Sequence, residues 1–306
     1  MWTDLAAAAA NQSLSSIDRL TLHSDRFALA QSGDESTVDV LRMMLTATRE
    51  EEDFAVWTGI SSALDQISLI LEYTDFKESF EAWGRRLLAP VFARLGWEAR
   101  EGEKETQRQL RALVLQSLAA FGDPDVVEEA RKRFADHVQG IKVGLLSFDR
   151  LTDKAIARKA IPVDVRTAVY AAVARNASTA DFSAMQRLFL ASAQAEERQR
   201  LLSSLALVPD ASLIQRFLDF LASEAVRGHE VSKGVSALAS GSSVGRQAAW
   251  TWLQAKREYL IKRFAGTLLL SRTVSPCIIH LLIISCIHVA AGESGCARIR
   301  VGSKGR

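Results

Sequence analysis

The chain has 306 residues, 48% of them hydrophobic, which is enough to bury a sizeable core in one large domain or two ordinary ones. A net charge of +2, with 24% charged residues of both signs, excludes the strong basic field of a nucleic-acid binder. All three cysteines (Cys277, Cys286, Cys296) fall after residue 276, so the body carries neither a disulfide framework nor a cysteine zinc cluster.

Met1-Trp2-Thr3-Asp4-Leu5 and the alanines behind it lack the basic start and long apolar run of a signal peptide, and a cytoplasmic chain is expected. Residues 14–32 read as a helix with Leu20, Phe27 and Leu29 inward, followed by a Ser-Gly-Asp-Glu-Ser break. Val38, Leu41, Met44 and Leu45 recur at helical spacing, and Phe54, Trp57, Ile60, Leu64, Ile67 and Leu71 mark a third segment. Phe76 to Leu95 is a fourth, with Pro90 as a kink or a junction of two helices. A polar loop from Gly96 to Lys104 leads to the stripe Leu110, Leu113, Val114, Leu118.

Asp123-Pro124-Asp125 is a helix start: the Asp accepts from orphan N–H groups, and Pro fits the first turn, where its missing N–H costs nothing. Ile161-Pro162-Val163-Asp164 opens another helix through Val169 and Val173, and Ser178-Thr179-Ala180-Asp181 has the spacing of a capping box. Leu201, Leu202 and Leu205 form one helix; Leu213, Ile214, Phe217, Leu218 and Leu221 form the next. Val244 to Phe264 is read as one more, with Trp250, Leu253 and Leu260. Gly241-Ser242-Ser243-Val244-Gly245-Arg246 lacks phosphate-loop spacing and reads as a turn between helices.

A short phrase occurs twice. Leu115-Gln116-Ser117-Leu118-Ala119 runs into Asp123-Pro124-Asp125; 87 residues on, Leu202-Ser203-Ser204-Leu205-Ala206 runs into Val208-Pro209-Asp210. That separation is two helix-turn-helix units of roughly 40–47 residues, the size of a HEAT or armadillo repeat. The fold class expected is therefore all-α, an armadillo- or HEAT-like solenoid of helix pairs.

From Thr273 to Ala291 no Asp, Glu, Lys or Arg occurs, and glycines among basic residues follow. Residues 265–306 are read as a divergent tail outside a body spanning 1–264. Read-through or splice variation, a docked tail and a basic-flanked tail anchor are the alternatives for it.

Several phrases resemble, in order, the C-terminal helical domain of gluzincin zinc aminopeptidases, the group that includes the puromycin-sensitive and endoplasmic-reticulum enzymes. They are Leu14-Ser15-Ser16-Ile17-Asp18-Arg19-Leu20, Asp25-Arg26-Phe27-Ala28-Leu29-Ala30, Leu95-Gly96-Trp97-Glu98 with Glu101-Gly102-Glu103, and Arg111-Ala112-Leu113-Val114-Leu115. Ala130-Arg131-Lys132-Arg133-Phe134, Ile161-Pro162-Val163-Asp164-Val165-Arg166 with Val169-Tyr170, and Val244-Gly245-Arg246 with Ala249-Trp250 and Trp252-Leu253 continue the series.

The resemblance implies a bowl that closes over a catalytic domain, contacts the distal part of a peptide substrate and belongs to an enzyme holding one zinc ion. The zinc motif H-E-x-x-H puts two imidazoles on one helix face with a Glu as general base. None of His23, His137, His229, His280 and His288 has a His four residues away, and His229-Glu230 reads as a loop pair. The Gly-Ala-Met-Glu-Asn phrase that clamps the substrate amine in the family is also absent.

The expectation is thus a fragment with no catalytic or metal-ligating residue of its own, inactive alone. It would work with the zinc catalytic domain, in cis or in trans, without nucleic acid or a membrane. The alternative is a free-standing helical scaffold that binds peptides or a partner domain. Arg166 and Tyr170, one turn apart, either face the chamber as substrate contacts or pack the start of their helix.

Overall fold

The computed structural model describes residues 2–142, 161–265, 267–269 and 271–275. Of the divergent tail read as 265–306, residues 266, 270 and 276–306 lie outside them. The described residues are helical, without strands, as the helical stripes require. The chain divides into two compact units, Met1–Val208 and Pro209–Arg306.

The first unit contains α1 (Trp2–Ala10), α2 (Ser16–Ser32), α3 (Thr37–Ala47), α4 (Phe54–Leu71), α5 (Lys77–Leu95), α6 (Glu105–Ala120) and α7 (Pro124–Lys142). A 3-10 turn (Val163–Val165) leads into α8 (Arg166–Arg175), α9 (Thr179–Ala191) and α10 (Ala195–Leu205). Helices α2, α4, α6, α8 and α10 stack in succession, each against the next-but-one in the chain. The intervening α5, α7 and α9 each pack on the two stacked helices that flank them in sequence. This is helix-pair stacking, in which each repeat buries its apolar face against its neighbours. The second unit contains α11 (Ala211–Ala222), α12 (Gly228–Gly241), α13 (Ser243–Ala255) and α14 (Arg257–Arg263). There α11 packs on α12 and α13, and α13 also packs on α14.

Caps begin these helices where the sequence places them. Asp123 Oδ1 accepts from the Val126 N–H at 3.1 Å ahead of α7. Ser178 and Asp181 close a reciprocal capping box on α9, with the Asp181 N–H on Ser178 Oγ and the Ser178 N–H on the carboxylate. The two copies of the repeated phrase end α6 and α10, but their turns differ in register. Pro124 is the first residue of α7, whereas Pro209 precedes the cap of α11, Asp210, which accepts from Ser212 and Leu213.

Helix α4 buries the expected stripe of Trp57, Ile60, Leu64 and Ile67. It is also the one helix among the described residues with the length and hydropathy of a membrane span, and here it packs between α2, α5 and α6. In the second unit α11 buries Leu213, Ile214, Phe217, Leu218 and Leu221. Each such side chain contributes about 1.5–3 kcal/mol of transfer free energy.

Four expectations are corrected. Leu29 is exposed and Leu20 and Phe27 are half-buried; α2 instead turns Arg19, Leu22, His23 and Arg26 inward, because its arginines have buried carboxylate partners. Helix α3 buries Val40, Met43, Met44 and Ala47 and leaves Val38 and Leu45 outside. Pro90 is not a junction of two helices but lies inside α5, on its exposed side, where water can hydrate the carbonyl that its missing N–H frees. Finally, α13 and α14 are separate helices meeting at Lys256, and α12 had no apolar stripe strong enough to read among Gly228, Gly234, Gly241 and its serines.

Candidate functional site

Arg166 and Tyr170 sit at the start of α8 and face inward. Their relative exposures are 7% and 0%. Tyr170 Oη donates to Glu197 Oε1 at 2.7 Å, and Arg166 Nη1 donates to Glu197 Oε2 at 3.3 Å. Arg166 Nε holds the Ile161 carbonyl at 3.0 Å, which ties the 3-10 entry to the helix it precedes. Arg200, one turn along α10, adds a second cation to the same carboxylate at 3.2 Å.

His137 of α7 approaches Tyr170 Oη through Nε2 at 3.5 Å. Burial pushes its pKa down to about 4, helped by the Arg166 charge and opposed by Glu197. Burial and the neighbouring Glu197 push the Tyr170 phenol up, so it remains a donor. The cluster joins α7, α8 and α10 around one buried carboxylate. The helix-start packing reading of Arg166 and Tyr170 matches this burial.

Sequence reasoning did not single out Glu197 or His137. Glu197 lies in Glu196-Glu197-Arg198, which has the look of a solvated first turn, yet Glu197 is fully buried and Glu196 is not. The signal available was Tyr170 itself, since a buried phenol needs a partner.

A similar device recurs beneath several of the other family-like phrases. Arg19 grips Glu51 through Nε and Nη2 at 2.6 and 3.0 Å and holds the Leu14 carbonyl at 2.7 Å. Glu51 also accepts from the N–H groups of Glu52 and Asp53. Arg26 pairs with Glu35 and lies over the Trp2 ring at 4.7 Å. Arg111 pairs with Glu103, whose carboxyl it holds below the usual range, and donates to the Gly96 carbonyl. Arg246 Nε donates to the Ala239 carbonyl. Several of the colinear phrases in this chain therefore mark buried arginines with fixed partners, while Arg131 in the Ala130–Phe134 phrase is exposed. Removing one partner of such a pair costs several kcal/mol because the other charge stays buried.

Two features on the first unit are open to a ligand. Asp65 on α4 is exposed, yet surrounding protein desolvates it and raises its pKa against the pull of Arg175 at the end of α8. Burial pushes the Arg175 guanidinium down, while Asp65 and Glu81 pull it up. A polar cleft of about 400 Å³ lies where the Gly96–Lys104 loop meets the ends of α5 and α6, lined by Glu52, Arg94, Arg100, Glu101 and Glu103.

Neither feature offers a metal site. Among the described residues no group of three or more His, Cys, Asp or Glu side chains could hold an ion. His23 and His137 are buried on α2 and α7 of the first unit, and His229 is exposed in the first turn of α12, a helix start where a loop was expected. His280 and His288 lie outside the described residues. The residues present do not fit a zinc ion of the H-E-x-x-H type.

The comparisons with known proteins point to the same family as the colinear phrases. The model of the ERAP1-like C-terminal domain matches residues 1–281. Aminopeptidase M1 of Arabidopsis thaliana is 30% identical over 278 residues, covering 89% of this chain and 29% of the relative. Aminopeptidase M1-A of Oryza sativa subsp. japonica is 29% identical over 275 residues, with shares of 86% and 29%. Glutamyl aminopeptidase of Bos taurus is 28% identical over 255 residues, with shares of 82% and 24%. The chain spans less than a third of the length of these curated relatives. The all-helical first and second units agree with that match, and the chain belongs to the ERAP1-like C-terminal domain family, the helical C-terminal domain of M1 aminopeptidases.

Proposed function

We propose that this chain is the non-catalytic helical part of a zinc aminopeptidase that removes N-terminal residues from peptides. It walls the chamber over the active site and contacts the distal part of the peptide. The observation that carries the reading is the family match over residues 1–281 in a sequence with no H-E-x-x-H. Zinc chemistry and the attack on the first peptide bond belong to the catalytic domain, in cis or in trans. The charges of Asp65 on α4 and Arg175 at the end of α8, which act on each other, are suited to a polar peptide backbone and its side chains.

The test is a chimaera. The C-terminal region of the Arabidopsis relative is replaced by this chain, and hydrolysis of a short aminoacyl anilide and of a long peptide is measured. The expected result is turnover of both, with a KM for the long peptide that shifts when Asp65 and Arg175 are exchanged for alanine. Loss of folding of the chimaera, or kinetics identical to those of the catalytic region alone, would overturn the proposal in favour of a free-standing scaffold.

A further inference from the structure

A second cleft is lined by residues of α7, α8 and α9, with a volume of about 660 Å³. It falls within the range of roughly 300–1,000 Å³ in which small-molecule sites occur. Its floor is apolar: the edge of Phe134, Val138, Val173 and Ala184. Ala135 and Ala180 line its walls, and their small side chains leave the volume open.

The charges at its rim are not balanced. Asp181 is occupied by the Ser178 N–H and hydroxyl at 2.9 and 2.8 Å and by Arg131 at 3.5 Å. Arg131 also donates to the Asn176 carbonyl. Arg187 lines the same cleft, is exposed, and makes no ion pair among the described residues. An apolar floor beneath one unmatched guanidinium suits a ligand with a hydrocarbon body and a single negative charge. A neutral amphiphile would leave the cation unmatched, and a cationic one would be repelled.

We propose that the α7–α9 cleft is a binding site for an apolar carboxylate of fatty-acid or aromatic-acid type. The proposal does not depend on the peptidase reading.

The full chain is titrated with 8-anilinonaphthalene-1-sulfonate, and dodecanoate is used to displace it. One saturable site is expected, competed by dodecanoate and not by dodecyltrimethylammonium. Arg187→Glu, at an exposed position, should weaken dodecanoate by about fivefold, the scale of an exposed charge contact made repulsive. Ala135→Trp, on the exposed wall, should fill the cleft and abolish competition with the far-ultraviolet circular dichroism unchanged. Absence of a saturable site, equal competition by the cationic amphiphile, or binding indifferent to both variants would each overturn the proposal.

Discussion

Tyr170 and Glu197, 27 positions apart in sequence, meet with the phenol oxygen 2.7 Å from the carboxylate, and neither side chain reaches solvent. Two arginines share that carboxylate, so it is the fixed point where α8 joins α10. Tyr170→Phe removes one donor and leaves both cations, and is expected to cost about 1–3 kcal/mol. Glu197→Ala removes the buried carboxylate that Arg166 and Arg200 share and is expected to cost about 3–5 kcal/mol. Urea unfolding of the two variants checks the order; a Tyr170→Phe loss equal to that of Glu197→Ala would contradict the carboxylate's central place.

Two buried histidines make the fold sensitive to acid. His23 is 2% exposed and His137 3%. Burial is the main cause that lowers both from 6.5 to about 4 in the folded chain. Their unfolded pKa is the higher one, so the unfolded chain binds more protons between these values. Their contribution is therefore complete above pH 6.5, declines as pH falls, and levels off below about 4. The loss amounts to roughly 3 kcal/mol for each histidine. His23 makes no hydrogen bond among the described residues through either ring nitrogen. His23→Leu should therefore flatten part of the pH dependence without loss of stability at pH 7.5. Thermal midpoints measured from pH 7.5 to 4 report both effects, and an unchanged slope in His23→Leu would refute the assignment.

Much of the fold is legible in the sequence because helices announce themselves by stripe and cap. The Asp123 and Ser178 caps and the inward faces of α4 and α11 follow from residue type and spacing alone. The inward face of α2 does not. Its Arg19, His23 and Arg26 look like solvent residues, and the burial of the two arginines rests on Glu51 and Glu35 on later segments. The same long-range dependence hides Glu197. Apolar periodicity reports one helix against an average interior, whereas a buried ion pair depends on a particular partner. The open cleft between α7 and α9 was illegible for a related reason, since a concavity arises from helices that fail to fill a space.

The purified chain, supplied with zinc, is expected to show no turnover of leucine anilide above the uncatalysed rate. No H-E-x-x-H occurs in its sequence to activate a metal-bound water. A chromogenic assay at neutral pH checks this, and turnover that survives further purification and is abolished by a chelator would disprove it.

Two glycines in the second unit test whether backbone or side chain sets the packing limit. A Cβ at Gly245 would stand 2.6 Å from the Leu238 carbonyl oxygen and 2.9 Å from that residue's methyl. The obstacle is chiefly backbone, fixed by α12, so α12 and α13 must separate to admit it. A Cβ at Gly234 would stand equally close, at 2.6 Å, but to a methyl of Leu221. That side chain can rotate, though Phe217 at 3.4 Å restricts it. Helix propensity favours alanine over glycine at both sites by nearly 1 kcal/mol. The steric term opposes it, at about 1–3 kcal/mol where backbone must move. Gly245→Ala is therefore expected to be destabilising and Gly234→Ala close to neutral. The unfolding midpoint decides it: equal losses would show that Leu221 is as immovable as the backbone of α12.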